Sequence, residues 1–500
     1  MKKNIFIQTL IGLILTVITI NSNAQWYQMS FDIDGEAAED LSGKSISLSS
    51  DGSIVAIGAN QNDGNGSNSG HVRVYENNGS WVQIGYDIDG EGSNDNSGWS
   101  VSLSSDGTVM AVGAVKNDGN GIDVGHVRIY EYSGGNWVQM GSDIDGEADS
   151  DNSGFSVSLS SDGSIVAIGA PQNDGNGIDA GHVRVYEYSG GNWVQMGSDI
   201  DGESAGDWSG RSISLSSDGL MLAIGAPSNE AGTGFATGHV RVYEYNNGNW
   251  LQIGSDIDGE ATGNYSGVSV SLSSNGTIVA IGAHGNAGNG AGSGHVRVYE
   301  YDNGNWLQIG NDIDGEAVGD NSGSALCLSS NGTVVAIGAS FNDAYTLGSE
   351  TGHARVYMYN NGNWIKVGID LDGEAPLNGY GGSISLNSDG TVVAIGASSN
   401  CGSAVNAGHV RVHHNASMSI TENVLDINIS VYPNPVYDYL HIFPIDYDEI
   451  ELTNLHGKKI KGLKLKNELI NIQELNSGIY FIHVYRKDQI LSKKFIKVKK

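Results

Sequence analysis

Residues 109–114 read Val-Met-Ala-Val-Gly-Ala, and residues 125–130 read Gly-His-Val-Arg-Ile-Tyr. This pair of phrases recurs along the chain. The Gly of the first phrase stands at positions 58, 113, 169, 225, 282, 338 and 396, and the His of the second at 71, 126, 182, 239, 295, 353 and 409. A Trp recurs in the same rhythm at 26, 81, 137, 193, 250, 306 and 364. Successive copies lie 55–58 residues apart, so the sequence contains seven copies of one structural unit.

Each copy predicts four β-strands joined by turns. In the copy that begins at Trp81 the strands are residues 81–84, 100–104, 109–114 and 126–132. Asp-Gly and Gly-Gly-Asn links provide two hairpin turns, and two longer polar loops complete the unit. Four antiparallel strands in about 56 residues are typical of one blade of a β-propeller.

The sizes of the side chains support stacked blades. Strand residues alternate between faces, so Val109, Ala111 and Gly113 form a small face while Met110 and Val112 form a large one. Neighbouring blades pack when the large face of one meets the small face of the next. An open solenoid offers the same packing, but its terminal copies carry polar caps.

The ends of the repeat region favour a closed ring. The first repeat element is the Trp strand at residues 26–29, and the last is the His strand at residues 408–412. The seventh blade therefore lacks an outer strand, which the N-terminal strand supplies if the ring closes. We predict an all-β fold: a seven-bladed β-propeller closed by the N-terminal strand, followed by a small C-terminal β-sandwich.

The first 24 residues predict a signal peptide. Lys2 and Lys3 form a basic start, residues 11–20 are apolar, and Ser-Asn-Ala at 22–24 provides the small residues of a cleavage site before Gln25. A retained membrane anchor is the alternative. No later segment has the roughly 18 apolar residues that a transmembrane helix needs, so we expect none in the mature chain.

Charge divides the remaining chain in two. Residues 25–415 hold 47 Asp and Glu against 11 Lys and Arg, a net charge of −36, whereas residues 416–500 hold 10 acids against 12 bases, a net charge of +2. We expect a propeller over 25–415, a linker over 416–426 and a separate domain over 427–500. The acidic propeller makes nucleic acid an unsuitable partner, since like charges repel.

The repeat resembles the FG-GAP repeats of integrin-α-type propellers. The phrases that carry the resemblance are residues 97–103, 112–114 and 125–130, and Gly-Ala-Pro itself stands at 169–171 and 225–227. The resemblance covers residues 26 to about 413 and implies a propeller used for extracellular binding. The opening Phe-Gly has become Ser-Gly in most copies. The first hairpin, Ser-Ser-Asp/Asn-Gly, is too short for the calcium loop of integrin-type repeats.

The C-terminal region resembles the type A sorting domain of the type IX secretion system. Four motifs keep its order: residues 431–435, 455–458, 475–480 and 495–498. The resemblance implies a Bacteroidetes-type cell, passage through the periplasm, and secretion or display on the outer-membrane cell surface with removal of the tail. The type IX secretion machinery is the partner that it implies.

Two repeated motifs invite a metal or catalytic interpretation. Residues 87–91, Asp-Ile-Asp-Gly-Glu, offer the hard oxygen ligands that Ca²⁺ prefers, although Asp-Gly pairs also form ordinary turns. We expect no metal or cofactor, with Ca²⁺ at this motif as the alternative. The seven His and seven Arg, such as His126 and Arg128, are placed identically in every copy. Catalytic centres are asymmetric, so we expect these residues to pair with loop carboxylates such as Asp143 or Glu147.

Neither serine nor cysteine indicates a nucleophile. No Gly-x-Ser-x-Gly elbow occurs, and each strand Ser recurs in the other copies. Cys327 replaces a strand Ser and Cys401 lies in a loop, and neither has metal-ligand neighbours, so we expect structural roles and no disulfide framework.

The variable positions indicate where a ligand would bind. The first and third connections of each blade are uniform turns, whereas the second and fourth differ, and both of the latter exit on one face. The first position of the innermost strand, on that face, carries Lys44, Trp99, Phe155, Arg211, Val268, Ser324 and Gly382. We predict that Lys44, Trp99, Phe155 and Arg211 bind a ligand, because aromatic rings and cations stack on sugars or hold anionic groups. Neutral drift at a tolerant position is the alternative.

These features predict a secreted or cell-surface propeller that is not an enzyme and that binds an extracellular glycan or protein, as an adhesion module. Two other classes stay open. One is an extracellular hydrolase with its site in the variable mouth, and the other is a repetitive structural component of a matrix.

Overall fold

The computed structural model describes residues 25–230, 235–343 and 350–415. Within the C-terminal region it describes residues 430–432, 437, 439–443, 449–454, 458–460, 465–466, 469–473, 475–486 and 489–499. The predicted signal peptide and linker lie outside these residues. The chain divides into two compact units, Met1–Ser419 and Ile420–Lys500.

Seven four-stranded antiparallel blades form the first unit, as the repeats predict. The inner strands are Ser45–Leu48, Ser97–Leu103, Ser156–Leu159, Ser212–Leu215, Ser269–Leu272, Ala325–Leu328 and Ser383–Leu386. The second strands are Ile54–Ala59, Val109–Ala114, Ile165–Ala170, Met221–Ala226, Ile278–Ala283, Val334–Ala339 and Val392–Ala397. The third strands are His71–Asn77, His126–Ser133, His182–Ser189, His239–Asn246, His295–Asp302, His353–Asn360 and His409–His414. The outer strands are Trp81–Gln83, Asn136–Gln139, Asn192–Gln195, Asn249–Gln252, Asn305–Gln308, Asn363–Lys366 and Tyr27–Gln28.

A fifth, two-residue strand in each blade was not predicted. These strands are Ile88–Asp89, Ile144–Asp145, Ile200–Asp201, Ile257–Asp258, Ile313–Asp314, Leu371–Asp372 and Ile33–Asp34. Each comes from the Asp-Ile-Asp-Gly-Glu motif and pairs with the start of the third strand, as Ile88 does with Val72. The central Ile is buried, so the motif that looked like a turn also anchors the loop to the core.

The ring closes through its N-terminal strand, as predicted. Tyr27 and Gln28 pair with His414 and His413 of the last blade, and Ile33 pairs with Val410. Trp26 is buried and its indole Nε1 donates to the carbonyl of Val367 at 3.0 Å. The first and last repeats are therefore joined by backbone pairing, which removes the open edge that each would otherwise present.

Neighbouring blades pack large face against small face. Ala56 of the first blade lies in one buried cluster with Met110 and Val112 of the second. The Gly of the repeated phrase is required by this contact: a Cβ at Gly113 would collide with the backbone carbonyl of Gly154 in the next blade. Close packing of this kind leaves no room for even one added methyl group.

One end of the central channel is encircled by a ring of backbone hydrogen bonds. In each blade the second Ser of the first hairpin donates its N–H to the carbonyl of the same Ser in the next blade, at 2.8–2.9 Å. The ring runs through Ser50, Ser105, Ser161, Ser217, Ser274, Ser330 and Ser388 and returns to Ser50. Together with a circle of Leu side chains these residues line a cavity of about 160 Å³. We call this end the serine ring.

Side-chain hydrogen bonds also join each blade to its neighbour. Each described Trp of the outer series donates its Nε1 to a carbonyl of the preceding blade, as Trp137 does to Ile84 at 3.1 Å. The inner-strand Ser47 accepts the N–H of Leu103 from the next blade at 2.9 Å. The strand serines are thus held by structural hydrogen bonds.

Cys327 stands where other blades have such a Ser, and burial raises the pKa of its thiol. Cys401 is exposed, and both cysteines are free.

The second unit contains two antiparallel sheets, consistent with the predicted sandwich. The first consists of Ser430–Tyr432, Tyr439–Phe443, Leu469–Asn471 and Leu465–Lys466, and the second of Glu449–Asn454, Gly478–Arg486 and Gln489–Lys497. Both sheets contribute buried side chains, Leu440 and Ile470 from the first and Leu452 and Ile482 from the second. Among the described residues of the whole chain there is no helix long and apolar enough to cross a membrane.

Candidate functional site: the mouth of the propeller

The end of the channel opposite the serine ring is built from the starts of the inner strands. Strand register places the first residues of an inner strand beside the end of the second strand, as Ser45 pairs with Gly58. The second and third strands meet at this end too, since Ala59 pairs with His71. The variable second and fourth connections therefore leave the blades at this face. We call the opening at its centre the mouth.

The four residues predicted to bind a ligand converge in one row across the first four blades. The Lys44 Nζ lies 4.3 Å from the centre of the Trp99 ring. Trp99 and Phe155 pack with ring centres 5.4 Å apart at an angle of 58°. The Arg211 Cζ lies 4.3 Å from the centre of the Phe155 ring. In this row the two aromatic rings lie side by side between the two cations, and each cation lies over the face of the nearer ring.

The two cations of the row have no anionic partner. Neither Lys44 nor Arg211 forms an ion pair or a side-chain hydrogen bond with any residue that the structure describes. Burial lowers the pKa of Lys44, and the charge of Arg211 lowers that pKa further. Burial also lowers the pKa of Arg211. Two like charges are therefore held together and partly desolvated, an arrangement that an anion would relieve.

This lack of partners distinguishes the mouth from the rest of the propeller. The seven Arg of the repeated phrase each contact a carboxylate, and Lys366 pairs with Asp370. Within residues 25–415 as described, the cations that remain without a carboxylate partner are Lys44, Arg211 and Lys116, and Lys116 follows the second strand on the same variable face. The unpaired positive charge of a strongly acidic domain is concentrated around its mouth.

The fifth and sixth blades add polar groups that the sequence interpretation did not identify. The Tyr265 ring stacks on the His284 ring with centres 5.2 Å apart and planes at 22°. Burial, followed by the charge of Arg211, lowers the pKa of His284. Tyr265 lies three residues before Val268 at the variable inner-strand position, so the stacked pair lies at the mouth. The Nδ1 of His284 and the Oγ of Ser324 are buried without a hydrogen-bond partner in the described structure.

A signal for His284 was present in the sequence. The residue after each Gly-Ala phrase differs between copies, being Asn60, Val115, Pro171, Pro227, His284, Ser340 and Ser398.

The backbone at the rim is strained where bulky residues replace Asn. The residue three places before the variable inner-strand position has a left-handed conformation throughout, with φ between 54° and 61°. Asn tolerates this conformation and occurs in three copies, but Leu41, Trp208 and Tyr265 adopt it as well. Such residues persist only where the surroundings hold them, and they are frequent at binding sites.

A depression of about 420 Å³ extends the mouth between the last blades and the first. Lys44, Phe341, Leu377 and Gly382 are among the residues that line it. Phe341 and Leu377 are 47% and 63% exposed, so the wall of this depression presents apolar side chains to solvent. The depression joins the cation Lys44 to an apolar surface.

The repeated His and Arg residues lie on the third strands, between blades, and not on the inner strands that form the mouth. Arg128 donates its Nη2 to the carbonyl of Asp89 at 2.9 Å and contacts Glu91 through Nη1 at 3.5 Å. Of the two carboxylates predicted to accompany His126, Asp143 lies beside it at 3.8 Å, whereas Glu147 contacts His182 of the next blade.

The Asp-Ile-Asp-Gly-Glu motif does not form one loop around one point. Asp87 faces His71 at 3.9 Å, whereas Glu91 faces His126 of the following blade at 3.9 Å. The intervening strand pair separates these carboxylates, so the predicted Ca²⁺ ligands of a single motif are divided between two sites.

Comparison with known proteins adds one family match. Residues 430–499 match the family described as the secretion system C-terminal sorting domain. The match supports the resemblance seen in the sequence and indicates secretion or export to the cell surface through the type IX machinery. The search of curated proteins found no match.

Two solved structures of propeller proteins are similar at low identity. The crystal structure of a "putative 6-phosphogluconolactonase" from Bacteroides uniformis shares 14% identity, covers 66% of this chain and 85% of its own, and has a TM-score of 0.46. The periplasmic gluconolactonase of Pseudomonas aeruginosa shares 16% identity, covers 67% of this chain and 86% of its own, and has a TM-score of 0.45.

The prediction that the protein is not an enzyme is contradicted by these two matches, since both carry the names of lactonases. The prediction relied on the identical placement of residues in all copies. That reasoning fails physically because the mouth is asymmetric, and unlike side chains converge there whatever the blades repeat. At 14–16% identity the two structures assign no reaction to this chain.

Proposed function

We propose that this protein is an exported propeller that binds an anionic saccharide, one that carries carboxylate or sulfate groups, in its mouth. The observation that carries the proposal is the position of the unpaired cations. The propeller has a net charge of −36, yet Lys44 and Arg211 point into the mouth without a carboxylate partner among the described residues. An anionic ligand would supply the missing charge.

The aromatic pair supports a sugar as the body of the ligand. Trp99 and Phe155 lie between the two cations and are only partly buried, so part of each ring is accessible. Flat apolar rings provide stacking area for the C–H faces of a sugar, while the cations at either end of the row contact its acidic groups. The ligand would span the first four blades.

The far side of the mouth offers directional polar contacts. His284 Nδ1 and Ser324 Oγ are buried without partners, and such groups are costly unless a ligand or water satisfies them. Sugar hydroxyls both donate and accept hydrogen bonds, so they suit these two atoms.

The proposal is tested by titrating the purified protein with anionic and neutral polysaccharides. We expect binding to heparin or polygalacturonate and none to dextran, with affinity falling as salt rises because the contacts are ionic. Trp99→Ala and Phe155→Ala each weaken binding by about 1–3 kcal/mol. Phe31→Ala, at an aromatic residue that is 86% exposed outside the mouth, leaves it unchanged. Equal binding of neutral and anionic polymers, or no ligand at all as a matrix component would give, rejects the proposal.

We also propose that the repeats are of the FG-GAP kind and that the module acts in adhesion at the cell surface. The order of the phrases in each blade and the closure by the N-terminal strand support this kinship. Export is tested by fusing residues 416–500 to a fluorescent carrier in a type IX-competent cell. Secretion or surface display of the carrier supports the assignment of the tail, and retention in the periplasm contradicts it.

A further inference from the structure

A second kind of site lies between blades, at the starts of the third strands rather than at the inner strands that form the mouth. In each of the first five blades the His that starts the third strand faces two carboxylates. One is the Asp that opens the acidic motif of the same blade, and the other is the Glu that ends the motif of the preceding blade. His239, Asp256 and Glu203 form one such group, which we call the His239 junction.

The donor atoms of the His239 junction are spaced for a shared ion. The one nitrogen and two carboxylate oxygens all lie within 4.8 Å of one another. The His239 Nδ1 is 3.7 Å from the Asp256 Oδ2, which is too long for a hydrogen bond. Two ligands of a tetrahedral ion, each about 2.1 Å from the metal, are separated by roughly 3.4 Å. The observed separation is therefore close to that of a ligand pair.

His239 itself has no other partner. Its ring is 1% exposed, and neither ring nitrogen has a hydrogen-bond partner among the described residues. An unpartnered imidazole nitrogen offers a lone pair that a metal ion can use.

The carboxylates are oriented toward this ring. Gln252 donates to the Asp256 Oδ1 at 2.6 Å, which leaves Oδ2 directed at His239. Arg241 Nη1 lies 3.6 Å from Glu203 Oε1 and so contacts one oxygen of that carboxylate. A cavity of about 590 Å³ gives access to the junction. Its further lining residues include the acidic groups Asp207, Glu230 and Asp258.

We propose that the His239 junction binds one divalent transition-metal ion through the His239 Nδ1 and the carboxylates of Asp256 and Glu203. Imidazole nitrogen together with carboxylate oxygen suits Zn²⁺ or Mn²⁺, whereas Ca²⁺ takes oxygen ligands. The ion would join two neighbouring blades, since Glu203 belongs to one and His239 to the next. This site goes beyond the saccharide site and does not depend on it.

The sixth blade provides a natural control. There Arg355 contacts both carboxylates of the corresponding junction: its Nε lies 3.1 Å from Asp370 Oδ1, and its Nη2 contacts Glu316. Lys366 contacts the same Asp370 at 2.8 Å. Cations of the protein thus occupy the place of an ion, and this junction is expected to bind none.

The test counts bound metal. The purified protein is stripped with EDTA, dialysed against Zn²⁺ and analysed by mass spectrometry of the metal, with far-UV circular dichroism as the check on folding. We expect Asp256→Asn, at a partly exposed residue, and His239→Ala each to lose one Zn²⁺ per chain relative to the parent. Asp370→Asn is expected to lose none. Should His239→Ala fail to fold, Asp256→Asn alone decides.

The same Zn²⁺ content in the parent and in Asp256→Asn overturns the proposal, as does binding of Ca²⁺ without Zn²⁺. Binding of saccharide at the mouth is measured separately on the same samples. Loss of either property with retention of the other shows which proposal has failed.

Discussion

The two ends of the propeller channel are made from the same repeat, but one end presents identical residues from all blades and the other presents different ones. At the serine ring all seven blades present the same residue in the same hydrogen bond, and the ring returns to its first member. At the mouth the equivalent positions carry two cations, two aromatic rings and three smaller residues. The repeated residues that pack and hydrogen-bond between blades, such as the serine ring and the outer-strand Trp series, form what we call the frame. The positions that differ between copies form the site at the mouth.

Energetics follow the same division. At the frame, side chains are buried, and residues such as Trp137 and Ser47 are hydrogen-bonded to the neighbouring blade, so substitutions there cost stability. At the mouth, cations and polar atoms lack protein partners, so substitutions there cost binding and little stability. The following predictions separate these two kinds of residue.

The largest effect is expected from opening the ring. Deleting residues 25–34 removes the outer strand of the last blade together with the buried Trp26 and Ile33. We expect the free energy of unfolding to fall by about 5 kcal/mol or more, since loss of a buried Trp alone costs about 3–5 kcal/mol. Urea denaturation measures the change. An unchanged transition would show that the ring does not depend on this strand.

A pair of Trp substitutions compares frame and mouth directly. Trp137 is 7% exposed and donates to Ile84, so Trp137→Ala is expected to cost about 3–5 kcal/mol of stability. Trp99→Ala is expected to cost less than about 1 kcal/mol, because the ring is only partly buried at the mouth. Thermal denaturation distinguishes the two. Equal losses of stability would contradict the division between frame and mouth.

Acid is expected to destabilise the frame through its buried His residues. Burial, followed by the charge of Arg128, lowers the pKa of His126 to about 4. The unfolded His takes up a proton near pH 6.5, so the stability from the neutral buried ring is complete above that pH and is lost as the pH falls toward 4. His126→Gln is expected to remove about 2–3 kcal/mol of the difference in unfolding free energy between pH 7 and pH 4.5. Trp99→Ala serves as control and should retain the parent's pH dependence.

The smallest of these effects compares one methyl group at two places. Gly113→Ala collides with the backbone of the next blade and is expected to cost about 1–3 kcal/mol. Gly382→Ala adds the same group at an exposed position of the mouth, where its nearest neighbour is the carbonyl oxygen of Gly379 at 3.2 Å instead of the 2.1 Å contact at Gly113, so we expect a loss below about 1 kcal/mol. Chemical denaturation of both variants measures the contrast. A larger loss at Gly382 would show that the mouth is packed as tightly as the frame.

The sequence predicted the frame well because repetition makes each inference seven times. Spacing, alternation of small and large residues and the unmatched terminal strands were sufficient for the blade count and the closure. The short strand at Ile88 and Asp89 escaped prediction because two residues between turns carry no periodic signal. Because of this short strand, the two ends of one acidic motif face His residues of two different blades, Asp87 facing His71 and Glu91 facing His126.

The site was predicted only in part. Lys44, Trp99, Phe155 and Arg211 occupy one equivalent position, so comparing copies was enough to select them. Tyr265 and His284 lie at other positions of the repeat, and only the strand register brings them to the same opening. Whether a cation lacks a partner depends on three-dimensional distances, which no sequence pattern provides.

The central claim is that the unpaired cations of the mouth hold an anionic ligand. The most direct measurement is the dissociation constant of a sulfated or carboxylated oligosaccharide for Lys44→Met, Arg211→Met and the control Lys366→Met, which removes a paired cation elsewhere. We expect each mouth variant to weaken binding about tenfold or more, which corresponds to about 1.4 kcal/mol, and the control to stay within about twofold of the parent. Equal dissociation constants for the parent and both mouth variants would contradict the account.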